Sequence, residues 1–142
     1  MTQFYNHQAF VDLNDSQKEA VKNLDGPLLV LSGAGTGKTR VLTARLANLL
    51  YSNKTKPWNI LAVTFTNKAA KEMRTRLESL IGPSANSVWL GTFHSIAARI
   101  LRENAEVVGL NSNYTIITPD DQIRLLKQIM IDQDIDIKKF TP

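Results

Sequence analysis

The sequence predicts an α/β fold in which a parallel sheet is flanked by helices and followed by a helical C-terminal extension. Three observations predict it. Short apolar runs at 27–31, 59–65 and 87–92 alternate with helix-period segments at 38–51, 67–81 and 93–104. A glycine-rich stretch, Ser32-Gly33-Ala34-Gly35-Thr36-Gly37-Lys38-Thr39, joins the first run to the first long helix. Beyond Gly109 the alternation stops, leaving one extended piece and one helix. Repeated strand–helix alternation implies right-handed crossovers and a parallel sheet.

Each element has a local reason. Asn14-Asp15-Ser16 offers an N-cap, and Ala20, Val21 and Leu24 give the helix over Gln17–Leu24 its apolar side before Gly26-Pro27 ends it. Pro27-Leu28-Leu29-Val30-Leu31 reads as a buried strand, and the helix from about Lys38 to Tyr51 follows the glycine turn. After the polar connector 52–57, Asn59–Phe65 reads as a second buried strand. Asn67 is the expected cap of a helix to about Ile81, with Ala69, Ala70, Met73, Leu77 and Leu80 on one face and Gly82-Pro83 as its stop. Ser87–Thr92 is the third expected strand. Phe93–Asn104 is the third helix, with Ile96, Ala97, Ile100 and Leu101 inward.

Tyr114–Ile117 reads as a short strand or extended piece, followed by a helix through about Ile131. Asp120-Asp121 after an apolar run has two readings, a carboxylate pair for Mg²⁺ or the acidic first turn of a helix. Thr118 as N-cap and Pro119 at the first helical position favour the helix start. The polar tail, 132–142, stops without a terminating signal, so the chain is expected to be a piece of something longer.

Composition narrows the setting. With 142 residues, 43% of them hydrophobic, the chain is long enough to bury a core. It has no cysteine, which excludes disulfides, thiol catalysis and thiolate metal sites. The first eight residues are polar and lack the apolar stretch of a signal peptide. The longest aliphatic run, Leu28–Leu31, is far too short for a membrane span. A soluble, reducing cytoplasmic setting is expected. The net charge of +4 is uneven: Lys38–Arg102 carries +9, against −2 before it and −3 after it. A basic middle suits a polyanion, nucleic acid first, and the alternative is a set of solvated lysines on helix backs.

The glycine-rich stretch carries the most chemistry. It fits G-x-x-x-x-G-K-[ST] except at its first position, where Ser32 stands for glycine. Glycines permit backbone angles that turn several N–H groups onto phosphate oxygens at a helix N-terminus. Lys38 adds a mobile charge for the β- and γ-phosphates, and the Thr39 hydroxyl is a ligand for Mg²⁺. In parallel sheets ligands collect at the carboxyl ends of strands. The phosphate loop, Thr64–Lys68 and Gly91–Ser95 are expected there together. Phe65 is a candidate to stack on a base, or else packs at a strand end. Lys68 and the helix start at Asn67 are candidates for backbone phosphate. His94 lacks the partners of a metal site, since only His7 accompanies it, and a DNA or loop hydrogen bond suits it better. Trp58 and Trp89 read as packing.

In combination these segments resemble the superfamily 1 DNA helicases of the UvrD/Rep type, over most of the chain. Leu13–Val21 resembles the glutamine motif, which implies that Gln17 reads the adenine edge. Gly33–Arg40 resembles helicase motif I, which adds Arg40 near the nucleotide. Leu61–Met73 is similar to motif Ia and Gly91–Ser95 to motif Ib, both contact surfaces for single-stranded DNA. The resemblance implies a P-loop NTPase (RecA-like) domain, called 1A, whose N-terminal part is residues 1–109. It places the start of an inserted helical subdomain, 1B, at 110–142. It implies ATP and Mg²⁺ as cofactors, held by Gln17, Ser32, Gly33, Ala34, Gly35, Thr36, Gly37, Lys38, Thr39 and Arg40. Single-stranded DNA would meet Thr64, Phe65, Thr66, Asn67, Lys68, Thr92 and His94, and the intact enzyme would move 3′ to 5′. The family's downstream acidic pair and second-domain arginines have no counterpart here, so the expected behaviour is nucleotide binding without unwinding until the remainder of the helicase chain is present. Two other classes stay open on the residues alone: another P-loop enzyme such as a small kinase, and a non-catalytic module gated by nucleotide.

Overall fold

A short helix, α1 (Gln8–Val11), opens on His7, whose Nδ1 accepts from the Ala9 N–H at 3.1 Å. In this computed structural model residues 4–33, 35–136, 139, 140 and 142 are described. The second helix, α2 (Asp15–Lys22), starts on a reciprocal capping box. Gln17 N–H donates to Asn14 Oδ1 at 2.9 Å and Asn14 N–H to Gln17 Oε1 at 3.0 Å. The next helix, α3 (Lys38–Tyr51), begins at Gly37, a left-handed residue with φ +87°.

A parallel pair follows, β1 (Leu61–Thr64) and β2 (Trp89–Thr92), joined by α4 (Asn67–Ile81). Leu61 pairs with Trp89 and Thr64 with Thr92, so both strands end at the same edge. The α4 helix stops at Gly82 (φ +66°), and α5 (Phe93–Glu103) leaves directly from β2. Gly91 allows that departure, because an added Cβ would stand 2.5 Å from Ser95 Oγ and 3.4 Å from the Ile96 side chain. Phe4, Phe10, Val21, Val41, Met73, Leu77 and Val88 are buried in one cluster with their neighbours. Side-chain donors tie the layers together across it. Arg45 Nη1 donates to Ala20 O at 2.8 Å, Asn48 Nδ2 to Val21 O at 2.9 Å, and Arg74 Nη2 to Leu90 O at 2.7 Å.

The chain divides into two compact units, Met1–Arg99 and Ile100–Pro142. In the second, α6 (Pro119–Asp132) has its own capping box. Thr118 Oγ1 accepts from the Asp121 N–H at 3.2 Å, and Asp121 Oδ2 accepts from the Thr118 N–H at 3.2 Å. Asp120 and Asp121 therefore stand in the first turn of a helix.

Several expectations need correction. Residues 27–31 form no strand, and Leu29 and Leu31 are 81% and 85% exposed. An apolar run supplies only propensity; a strand also needs a ladder for its N–H and C=O groups, and the described sheet consists of β1 and β2 alone. For the same reason β1 is not buried: it has one neighbour, and Leu61 is exposed. Of the two readings of 114–117, the strand is not formed. The cap of α4 is Thr66, whose Oγ1 accepts from the Ala69 N–H at 3.1 Å, and Asn67 is the first helical residue. Of the four α5 side chains expected inward only Ile96 is buried; Ala97, Ile100 and Leu101 are exposed. The N-terminal aromatic cluster was not foreseen: Phe4 stacks on Tyr51 at 5.4 Å and meets Phe10 edge-on at 5.9 Å. No helix among the described residues is long and apolar enough to cross a membrane.

Candidate functional site

The phosphate loop is shaped by its glycines and then held by its polar groups. Gly35 and Gly37 have φ of +74° and +87°, which side-chain-bearing residues rarely adopt. Ser32 is not in the positive-φ region, so glycine is not required there, and its hydroxyl bonds to that of Thr36. Thr36 Oγ1 in turn donates to Gly33 O at 2.8 Å. Lys38 Nζ lies inside the turn, donating to Gly33 O at 2.6 Å and Ser32 O at 3.1 Å. Ala34 falls outside the described residues.

Ser32, Thr36 and Lys38 line one cleft of about 250 Å³ with Asn14, Ser16, Gln17 and Val41. Gln17 reaches into it from α2, and its Nε2 donates to Thr36 O at 3.0 Å. Gly37 brings no side chain to cap α3, and among the described residues the first N–H groups of the helix suit an incoming anion. Uncapped helix amides, a lysine held among the described residues by carbonyl dipoles, and two left-handed glycines fit a phosphate chain. A phosphate oxygen would displace the carbonyls from Lys38, since charge-assisted hydrogen bonds are stronger. Thr39 is the second residue of α3 and half-buried. Arg40 follows it and pairs with Asp12, Nη2 to Oδ2 at 3.1 Å.

The second group of residues lies at the common edge of β1 and β2. Phe65 follows β1 and is 90% exposed, which removes the core-packing alternative. Thr64 Oγ1 donates to Thr66 O at 3.1 Å, and Thr66 caps α4. Asn67 and Lys68 are exposed on its first turn. Across the edge Thr92 is buried, and its Oγ1 accepts from the Ser95 N–H at 3.2 Å, setting the start of α5. His94 is exposed beside it. The expected trio of strand ends is thus a pair, because the phosphate loop has no strand in the sheet.

Phe93 lies within the Gly91–Ser95 segment expected to contact DNA, but was not itself among the candidate residues. Its ring is 50% exposed and lies 5.3 Å from that of Phe65, tilted by 50°. The signal was a repeated dipeptide, Thr64-Phe65 and Thr92-Phe93, at the ends of two expected strands. In parallel register the repeat puts two rings side by side. No group of three or more His, Asp or Glu side chains suited to a metal occurs among the described residues.

Residues 13–142 match the UvrD/REP helicase N-terminal domain. The chain belongs to that family. It is 50% identical over 139 residues to the ATP-dependent DNA helicase PcrA of Bacillus subtilis, covering 98% of this chain and 19% of that protein. The PcrA helicases of Staphylococcus epidermidis and Staphylococcus aureus are each 51% identical, over 131 and 130 residues. Each of those two matches covers 92% of this chain and 18% of the relative. The chain therefore spans about a fifth of the length of these UvrD/REP-type relatives. Its two candidate regions, the phosphate cleft and the aromatic edge, both fall in the first of its compact units.

Proposed function

We propose that this chain is the ATP-binding N-terminal segment of an ATP-dependent DNA helicase that translocates 3′ to 5′ on single-stranded DNA in the cytoplasm. The observation that carries the reading is the phosphate loop: Lys38 and Gln17 line one cleft at the start of α3, in a loop turned by two left-handed glycines, in a chain of the UvrD/REP family. Residues 1–109 belong to a RecA-like domain 1A, and 110–142 begin its helical insertion, 1B.

Gln17 reads the adenine edge, residues 32–37 supply backbone N–H groups, Lys38 holds the β- and γ-phosphates, and Arg40 flanks them. The Thr39 hydroxyl would be the protein ligand of a Mg²⁺ ion, which would supply charge neutralisation of the nucleotide phosphates. Single-stranded DNA crosses the sheet edge, a base against Phe65 and backbone phosphate at Lys68 and the first amides of α4. Thr64, Thr66 and Thr92 shape that edge, and His94 adds a hydrogen bond. Among the described residues neither strand ends in a carboxylate, and Asp121 is committed to capping α6. The chain alone accordingly binds nucleotide without turning it over or unwinding DNA.

The exposed aromatic pair beside a basic helix favours nucleic acid over the metabolite of a small kinase. Calorimetric titration with Mg·ATP tests the assignment. Parent chain should bind, and Lys38→Ala should bind about ten- to a hundredfold more weakly, as expected for losing charge-assisted hydrogen bonds. Equal affinities in the two would overturn it.

A further inference from the structure

Resting on the nucleotide reading of the same cleft, we propose that Gln17 is a positioning residue for the phosphate loop as well as a reader of the base. Its amide is used at both ends. Oε1 accepts from the Asn14 N–H at 3.0 Å, and Nε2 donates to the Thr36 carbonyl at 3.0 Å, nineteen positions along the chain. The two partners are a backbone donor and a backbone acceptor, so the orientation of the amide is fixed by chemistry.

What the amide stands on is rigid. The capping box fixes the Gln17 side chain to the first turn of α2. Arg45 and Asn48 of α3 hold the carbonyls of Ala20 and Val21 at the other end of that helix. Helix α2 is therefore a splint along the phosphate-loop helix, and Gln17 is its contact with the loop. The Thr36–Gly37 peptide is trans, so holding Thr36 C=O aims the Gly37 N–H in the opposite direction, away from Gln17. The Gln17 amide also lies against Gly37, since a Cβ there would meet Nε2 in van der Waals contact at 3.4 Å. Gln17 thereby sets a loop amide before any base is present.

Inorganic tripolyphosphate with Mg²⁺ separates the two roles, because it has the phosphates and no base. Calorimetry would compare parent, Gln17→Met and Lys38→Ala chains, with amide exchange of α2 followed in each. Gln17→Met removes the donor to Thr36 without adding charge. Tripolyphosphate affinity should fall about three- to tenfold in Gln17→Met, the range of one lost hydrogen bond, while the amides of Glu19–Lys22 keep their parent exchange rates. Unchanged affinity in Gln17→Met, with Lys38→Ala still weakened, would overturn the positioning role alone. A loss of affinity accompanied by faster exchange of the Glu19–Lys22 amides would overturn it too, by assigning the effect to the helix cap. Failure of the parent to bind ATP or tripolyphosphate would bring down the nucleotide reading and this inference with it.

Discussion

Phe65 and Phe93 are two large apolar side chains presented to solvent side by side, at the point where two parallel strands end. A ring that is 90% exposed contributes little to the core, so its loss should be read in binding rather than stability. Phe65→Ala should weaken binding of a single-stranded oligonucleotide by about five- to a hundredfold, the range of one base–aromatic stack. Fluorescence anisotropy measures this, with ATP affinity as the control. Phe93→Ala should have a smaller effect in the same direction, through loss of the neighbour that orients Phe65. Unchanged oligonucleotide affinity in both variants would remove the edge as a DNA site. At this scale the sequence carried Lys38, Gln17 and Phe65, because each lies in a contiguous motif. It did not carry the Gln17–Thr36 bond or the Phe65–Phe93 pair, which depend on residues far apart in the chain being brought together.

Helix α3 has the bounds expected, and α4 ends as expected at Gly82 but is capped by Thr66 rather than Asn67, since starts and stops are decided within a turn. The start of α6 was equally readable in Thr118-Pro119-Asp120-Asp121. Hydrogen bonds from the Thr118 hydroxyl and then the Thr118 N–H hold the Asp121 carboxyl below its ordinary value of 3.8. A lowered folded-state pKa gives a contribution that is complete above the unfolded value and lost as pH falls through the folded one. The first turn of α6 should therefore fray on acidification below about 3.8, followed by the amide shifts of residues 118–122. Asp121→Asn, which keeps an acceptor but cannot titrate, should flatten that profile. It should also leave Mg·ATP affinity at the parent value, as a capping residue must. Strands fared worse for a physical reason. Leu28–Leu31 is as apolar as any strand, yet its ladder partners are not set by the four residues themselves.

For the whole molecule, the consequence is an apolar segment leading into the phosphate loop outside the described sheet. Amides of 28–31 should exchange with solvent far faster than those in the middle of α3, by hydrogen–deuterium exchange on this chain. Slow exchange there would mean that a ladder exists which the described sheet does not include. The basic bias of 38–102 gives the same unit a charge suited to DNA, so oligonucleotide affinity should fall steeply with added salt. The fold class was readable in the alternation of runs and helices, but the size of the sheet was not, since strand count depends on pairing across the whole chain. The measurement that bears most directly on the central claim is ATP hydrolysis by the full-length protein, with and without single-stranded DNA. Turnover should rise on adding the oligonucleotide, vanish in Lys38→Ala, and lose most of its stimulation in Phe65→Ala while the KM for ATP holds. Turnover indifferent to DNA, or phosphate transferred to a small acceptor in its absence, would contradict a helicase built on these two sites.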